Sequence, residues 1–231
     1  MKLDLSQTPF VAGVFALALV LMMADARPQG TVDADALVLQ LRGLPAELYR
    51  GPMSFLCNPA PAPCSPPPLS SEEIKRLRIY SQLSALDGAG VLALARGLQK
   101  ADASMRSNSA LALYRLSDDS QSSDRVIARV DIRAALPALI VALHLDSRTG
   151  ELAAQAIGNI GAAGVTAVPA LVKLLGSEEE GLRNAACIGL GGIAPSAKSA
   201  LPQLKVALAD RSSNVRGFAR VAIAKISAAA P

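Results

Sequence analysis

Apolar residues recur at three- and four-residue spacing through most of the C-terminal half of the chain, in runs separated by short polar segments. Three stretches of this half align with one another, starting at Leu136, Val168 and Leu201. Each has an apolar run, a polar turn (DSRTG, SEEEG or DRSSN) and a second apolar run. This spacing is typical of amphipathic helices, so each stretch predicts two helices, A and B, joined by the turn. A pattern that returns at a fixed interval indicates a repeat architecture.

Two series of equivalent positions set the period of the repeat. A proline stands near the start of each helix A, where its missing N–H would have no partner. A small residue stands on the packing side of each helix B, where neighbouring helices must approach closely. The prolines step by 32 and then 33 residues, and the alanines step by 33. We predict that these residues position the repeats: Pro137, Pro169, Pro202, Ala153, Ala186 and Ala219.

A fourth copy of the pattern precedes these three, between Gly90 and Ser117. The step from Ser109 to Ala153 is 44 residues instead of 33, so the segment from Ser117 to Asp131 is an insertion. Insertions between repeats usually emerge as surface loops on one face. Two interpretations stay open, a functional protrusion and a tolerated solvated loop, since lengthening a surface loop costs little.

The first 26 residues have the organisation of a signal peptide. An unbroken apolar run, residues 10–23, follows Lys2, and Ala24-Asp25-Ala26 supplies the small residues that a signal peptidase accepts. We expect cleavage before Arg27. The apolar run spans only about 21 Å, against roughly 30 Å for the hydrocarbon layer, so the mature chain should not span a membrane. An uncleaved anchor and a cytosolic protein with a coincidental apolar run are the alternatives.

Export would place Cys57 and Cys64 in an oxidising compartment. They flank a proline-rich segment, CNPAPAPC, that cannot build its own core, so we expect a disulfide between them. Two free thiols and a metal site are the alternatives, although structural zinc usually takes four ligands. Residues 27–70 are therefore predicted to be an N-terminal extension with a cysteine loop. Residues 71–231 are predicted to hold about four repeats and their N-terminal cap helices.

Composition narrows the chemistry that the chain can perform. Tryptophan is absent, aromatic residues make up 3%, and the formal net charge is +4. His144 is the only histidine, so a Ser-His-Asp triad has a single candidate base. We expect no enzymatic activity, no metal and no cofactor. Positive charge suits phosphate, but a chain without tryptophan lacks stacking platforms, so nucleic acid is not an expected partner.

The segment GLGGIA, Gly189 to Ala194, has the G-x-G-x-x-A spacing of a dinucleotide-binding loop. Such a site needs a strand before the glycines and a helix after them, because the pyrophosphate lies on the N-terminus of that helix. In repeat register this segment instead ends a helix B, opposite AIGNIG and AIAKIS. We predict that its glycines are close-packing positions and that the chain binds no nucleotide.

The repeats resemble the HEAT-repeat family, in the short bacterial form also found in phycobilin lyases. Two helix B starts carry the resemblance, LRNAA from Leu182 and VRGFA from Val215, together with the proline that opens helix A. The resemblance extends over roughly residues 89–227. It implies an all-α fold, a right-handed α-solenoid of stacked antiparallel helix pairs.

The same resemblance implies a polar ladder, in which a turn aspartate pairs with the arginine of helix B. In this sequence the implied pair is Asp210 with Arg216. Gly150 replaces the arginine in one unit, and three glutamates, residues 178–180, replace the usual turn in the next. The ladder is therefore expected to be incomplete.

Stacked helix pairs offer a curved surface without any catalytic residue. We therefore expect an exported, non-enzymatic scaffold of the bacterial envelope, periplasmic or secreted, that binds a protein or peptide. The alternative implied by the resemblance is a phycobilin-lyase-like enzyme or chromophore-binding chaperone, with Cys187 as a remote candidate for chromophore attachment. A DNA-binding protein is a third and weaker possibility.

The last repeat carries six cations between residues 198 and 225, against a single acid, Asp210. Arg216 and Arg220 are four residues apart and hence lie on one side of helix B. We predict that Arg216, Arg220 and Lys225 contact a partner of acidic character. The alternative is that a terminal repeat simply needs a polar outer face.

Overall fold

The computed structural model describes residues 32–44, 70–118 and 129–228, and these residues form helices without any β-strand. Six of the helices have 11 or more residues, and the helices A of the last three repeats have seven each. The α-helices are α1 (Ala34–Leu39), α2 (Ser71–Ala85), α3 (Gly88–Leu98), α4 (Ala103–Ser117), α5 (Leu136–Ala142), α6 (Ser147–Ile160), α7 (Val168–Leu174), α8 (Glu180–Ile193), α9 (Leu201–Ala207) and α10 (Ser213–Ala228).

Eight of these helices form four consecutive pairs: α3 with α4, α5 with α6, α7 with α8, and α9 with α10. Within each pair a short turn reverses the chain, so the two helices pack side by side in antiparallel order. The second helices, α4, α6, α8 and α10, also pack against one another in succession and make the most extensive contacts of the described chain. The prediction of an all-α solenoid of stacked helix pairs is confirmed.

Each of the last three helices A begins in the same way. A 3-10 turn (Arg133–Ala135, Gly161–Ala167 or Lys198–Ala200) leads into the helix, and the proline occupies its first turn. The side chains of Pro137, Pro169 and Pro202 are exposed. The prolines therefore mark where the helices begin and contribute little to the core.

The helices B are held together by small residues. Ala153, Ala186 and Ala219 are fully buried in α6, α8 and α10. The closest approach is between α6 and α8, where a Cβ at Gly192 would come within 2.5 Å of the carbonyl oxygen of Gly158. No side chain larger than hydrogen fits there without a shift of the backbone.

The GLGGIA segment lies in the last turns of α8. A Cβ on Gly189 would come within 2.7 Å of the Ala154 carbonyl oxygen in α6, and one on Gly191 within 3.2 Å of Cα of Ala222 in α10. Its glycines therefore pack against the helices on both sides. They do not form a loop at the start of a helix, which is what a phosphate site requires.

The N-terminal helices are tied to the first repeat by polar contacts. Asn108 of α4 donates from Nδ2 to the carbonyl oxygens of Leu41 and Leu44, at 3.0 and 2.8 Å. Arg42 donates from Nε to Asp102 at 2.9 Å. A capping box, in which the Ser70 hydroxyl and the Glu73 carboxylate each bond the other's backbone N–H, begins α2.

One stretch of the described chain, Ser147–Leu174, is long and apolar enough to cross a membrane. It consists of α6, a 3-10 turn and α7, and Leu152, Ile157 and Leu171 within it are fully buried. Packing between repeats accounts for its apolar character. The predicted signal peptide, the Cys57–Cys64 disulfide and residues 119–128 of the insertion lie outside the described residues.

Candidate functional site

A buried arginine links the third repeat to the fourth. Arg183, only 4% exposed, lies at the start of α8. Its Nη1 donates to the carbonyl oxygens of Ser177 and Glu178, both at 2.9 Å, in the turn before its own helix. Its Nε and Nη2 donate to the two carboxylate oxygens of Asp210, at 2.8 and 3.0 Å. One guanidinium therefore fixes two successive turns.

The first repeat uses the same arrangement. Arg106 of α4 donates from Nη1 to the carbonyl oxygens of Lys100 and Ala101, at 3.1 and 2.6 Å. Its Nε and Nη2 donate to Asp146 in the next turn, at 3.3 and 3.2 Å. We call each such set a rung: an arginine, the two carbonyls of its own turn, and the aspartate of the following turn.

Asp210 does not pair with Arg216 as the resemblance implied. Its carboxylate accepts from Arg183 of the preceding repeat and from the Ser212 backbone N–H, at 2.8 Å. The hydrogen bond from Arg183 is the main reason that the pKa of Asp210 lies below its usual value. Arg216 donates instead to the carbonyl oxygens of Asp210 and Arg211, at 2.8 and 3.2 Å. The turn aspartate thus points backward along the stack.

The rung between the second and third repeats is missing. Gly150 occupies the arginine position of α6. In the next turn, Ser177 matches Asp210 of the Arg183 rung and Glu179 matches Asp146 of the Arg106 rung. An open groove of about 440 Å³ lies at this junction. Six of the residues that line it are His144, Leu145, Lys173, Ser177, Glu179 and Leu182.

Two glutamates lie near this groove. Glu151 of α6 is half-buried, with its carboxylate against Gly181 of α8. Burial, with a smaller contribution from the charge of Glu179, raises the pKa of Glu151 in spite of the nearby Arg148. Glu179 itself is exposed. The missing rung therefore leaves a groove with carboxylates at its edge.

A second surface lies on α10 and combines two cations with two apolar side chains. Phe218 and Val221 are 40% and 53% exposed, and Arg220 and Lys225 of the same helix are also exposed. We call these four residues the α10 surface. In α8 the positions that match Phe218 and Arg220 are Ala185 and Cys187, and both are buried.

The structure separates the three predicted contact residues. Arg220 and Lys225 project from the α10 surface, where no described helix covers them. Arg216 is half-buried and bonds the turn before its own helix. Only the sequence register of the repeats could have revealed this difference, because it aligns Arg216 with the buried Arg183.

The other side chains considered for chemistry, Cys187 and His144, lie apart from each other. Cys187 is fully buried, and burial raises the pKa of its thiol to about 11. His144 is exposed on the rim of the groove. Among the residues that the structure describes, no group of three or more His, Cys, Asp or Glu side chains could hold a metal ion.

Comparison with known proteins identifies the repeat. Residues 136–224 match the family model of HEAT repeats. None of the curated proteins matches the chain in sequence. Solved structures with the same fold are similar over most of its length, at low sequence identity.

Three of these structures illustrate the likeness. An engineered protein shares 21% identity at a TM-score of 0.59, covering 93% of this chain and 84% of that chain. The complex of CpcE and CpcF of phycocyanin lyase from Nostoc sp. PCC7120 shares 22% identity at a TM-score of 0.53, with 89% and 68% covered. A designed armadillo repeat protein in complex with the peptide (KR)4 shares 20% identity at a TM-score of 0.52, with 84% and 82% covered.

These likenesses show the fold, a solenoid of helical repeats. The family match covers the second, third and fourth helix pairs, and the first pair has an arginine, turn carbonyls and a following aspartate as the third pair does. Residues 136–224 match the model of HEAT repeats, and the chain has the fold of a helical repeat scaffold.

Proposed function

We propose that this protein is an exported, non-enzymatic HEAT-repeat scaffold that binds a protein or peptide of acidic character through the α10 surface. The observation that carries the proposal is the composition of that surface. Phe218 and Val221 offer apolar area, and Arg220 and Lys225 offer positive charge on the same helix. Apolar area rimmed by charge is typical of interaction sites, while solitary exposed apolar residues are not.

The charges near α10 favour an acidic partner. Asp210, the single acid between residues 198 and 225, is already paired with Arg183. Arg220 and Lys225 have no ion pair within the described part of the chain, and Lys198 and Lys205 are exposed on the same repeat. Such a local excess of positive charge attracts negatively charged partners. Salt at 0.1 M limits the range of this attraction to about 10 Å.

The chemistry of Cys187 supports a scaffold over a lyase. A thiol with a pKa of about 11 is protonated at neutral pH, and a fully buried one is closed to a large chromophore. Nucleophilic cysteines have the opposite character, a lowered pKa and partial exposure. Cys187 therefore behaves as a small core residue between the third and fourth repeats.

Export is the part of the proposal that rests on sequence alone. The apolar run of residues 10–23 and the Ala24-Asp25-Ala26 site support cleavage before Arg27 in a bacterial envelope protein. N-terminal sequencing of the protein isolated from cells should find Arg27 first. Alkylation without reductant should leave Cys57 and Cys64 unmodified if they are bonded. Retention of Met1 in a soluble cytosolic fraction would contradict export.

Charge reversal tests the α10 surface. The variant Arg220→Glu with Lys225→Glu should weaken binding of the mature protein to an immobilised octaglutamate peptide at least tenfold at low salt, because each reversal replaces attraction by repulsion. The matched control is Lys75→Glu with Arg78→Glu, two exposed cations of α2 that change the net charge equally.

The control should bind octaglutamate nearly as well as the unmodified protein, and both variants should keep the same thermal midpoint. Equal weakening by both variants would mean that net charge alone attracts the peptide. Undiminished binding by the α10 variant would mean that the α10 surface does not bind the peptide and only provides the polar outer face of the last repeat. Either result would contradict the proposal.

A further inference from the structure

The missing rung between the second and third repeats retains acceptor groups but has lost its donor. In the two complete rungs a guanidinium bonds the carbonyls five and six residues before its own position, as Arg183 does with Glu178 and Ser177. The corresponding carbonyls before Gly150 belong to Leu145 and His144. Gly150 has no side chain to reach them.

The space for the donor is open to solvent. The groove of about 440 Å³ lies between the turns that a rung would join, with His144, Leu145 and Ser177 along it. A guanidinium needs a small fraction of this volume. The groove therefore admits a side chain from outside the stack.

The same place is closed to an arginine from α6. A Cβ on Gly150 would come within 2.9 Å of both the Leu143 carbonyl oxygen and Cδ2 of Leu182. Val215 occupies the position of Leu182 in the next repeat, so the larger leucine fills the route that an α6 side chain would take. The packing at this junction therefore leaves no room for a side chain at position 150.

The groove offers oxygen acceptors to a donor side chain. Glu179 lines it and is exposed, and Ser177 contributes a hydroxyl at the position that Asp210 has in the Arg183 rung. Asp146 also lines it, but its carboxylate already accepts from Arg106 and from the Thr149 N–H and hydroxyl. Lys173 on the rim is the opposing charge.

A guanidinium matches this set of acceptors better than an ammonium does. Two neighbouring carbonyls and a carboxylate on the other side are what Arg106 and Arg183 engage with their forked N–H groups. A planar fork bonds two acceptors at once and holds a fixed orientation, whereas an ammonium acts as a point charge.

We propose that this groove binds the side chain of an arginine supplied by another polypeptide, which completes the missing rung. The arginine lies between the carbonyls of His144 and Leu145 on one side and the Ser177 hydroxyl and Glu179 carboxylate on the other. The proposal does not depend on the α10 surface, which takes ligands of opposite charge.

The test is a titration of the ¹⁵N-labelled full chain with acetyl-Gly-Arg-Gly-amide, followed by amide chemical shifts. We expect saturable shifts confined to residues 143–150 and 177–182. The matched probe is the citrulline peptide, which has nearly the same shape and no charge, and it should cause no saturable shift there. The lysine peptide should bind at least threefold more weakly than the arginine peptide.

Two substitutions sharpen the result. Ser177→Asp places a carboxylate at the position that Asp210 has in the Arg183 rung, so it should tighten binding of the arginine peptide about tenfold. Glu179→Gln should weaken it several-fold. Glu178→Gln is the control, because Glu178 pairs with Arg211 outside the groove and should leave binding unchanged.

The outcomes separate this site from the α10 surface. The Arg220→Glu with Lys225→Glu variant should bind the arginine peptide as the unmodified chain does. An absence of saturable shifts, equal shifts with the citrulline peptide, or no tightening in Ser177→Asp would each overturn the arginine site. Equal affinity for lysine would overturn the assignment of a guanidinium. None of these results bears on octaglutamate binding.

Discussion

The two junctions on either side of the third repeat join helices of the same type by different means. Between α8 and α10 the buried Arg183 bonds Asp210 of the next turn. Between α6 and α8 this rung is missing, and Gly158, Gly189 and Gly192 bring the two backbones into direct contact instead. The α8–α10 junction thus combines a polar rung with close packing at Gly191, whereas the α6–α8 junction relies on close packing alone. A groove lies at the junction without a rung.

The largest effect is expected at the complete rung. Arg183→Gln should lower the free energy of unfolding by about 3 kcal/mol, because it removes one member of a buried ion pair and leaves turn carbonyls without their donor. The matched change at the missing rung is Ser177→Ala, which should cost less than about 0.5 kcal/mol. Urea titrations of both variants measure the difference. Equal losses would show that the two junctions do not differ as described.

A smaller effect is expected from alanine at the close contact. Gly192→Ala should cost about 1 to 3 kcal/mol, because its Cβ would meet the Gly158 backbone at 2.5 Å. Gly217→Ala, in α10 with nothing within 4 Å, should stabilise the protein by about 0.5 to 1 kcal/mol through helix propensity. Thermal midpoints that move in the same direction for both variants would contradict the packing of α6 on α8.

The smallest expected effect is the change in stability with pH, which has opposite signs at Asp210 and Glu151. The lowered pKa of Asp210 gives stability that is present above the unfolded-state value of about 3.9 and is lost as the pH falls through the folded-state value. The raised pKa of Glu151 means that its ionisation costs stability as the pH rises above about 4.3.

Unfolding measured between pH 3 and pH 7 tests these signs. The difference between the unmodified protein and Asp210→Asn should shrink toward low pH, because protonation removes the interaction that the variant lacks. Glu151→Gln should gain stability relative to the unmodified protein as the pH rises. Differences that stay constant with pH for both variants would show that neither carboxyl is perturbed by its surroundings.

The sequence was sufficient to predict the repeat fold because its markers are local and recur. Prolines that begin helix A and small residues that meet the neighbouring helix stand at fixed intervals, and the family match and the all-helical structure confirm this interpretation. The register also placed GLGGIA at the end of a helix. Comparison with the two equivalent segments, rather than the glycine spacing itself, made that prediction possible.

The partners of the ladder could not be predicted from one repeat. Asp210 and Arg216 are six residues apart and look like a pair, but the carboxylate of Asp210 turns toward Arg183, 27 residues earlier. The direction of a turn side chain depends on the stacking of repeats, which is long-range. The groove at Gly150 was equally hidden, because a cavity appears only when two turns are placed side by side.

A double-mutant cycle on Arg183 and Asp210 is the most direct test that polar rungs fasten the stack. Unfolding free energies of the unmodified protein, Arg183→Gln, Asp210→Asn and the double variant give the coupling energy between the two side chains. The structure predicts a coupling of about 2 to 3 kcal/mol, as expected for a buried, bidentate ion pair. A coupling below about 0.5 kcal/mol would mean that the two residues do not interact in solution, and the account of the ladder and its gap would be wrong.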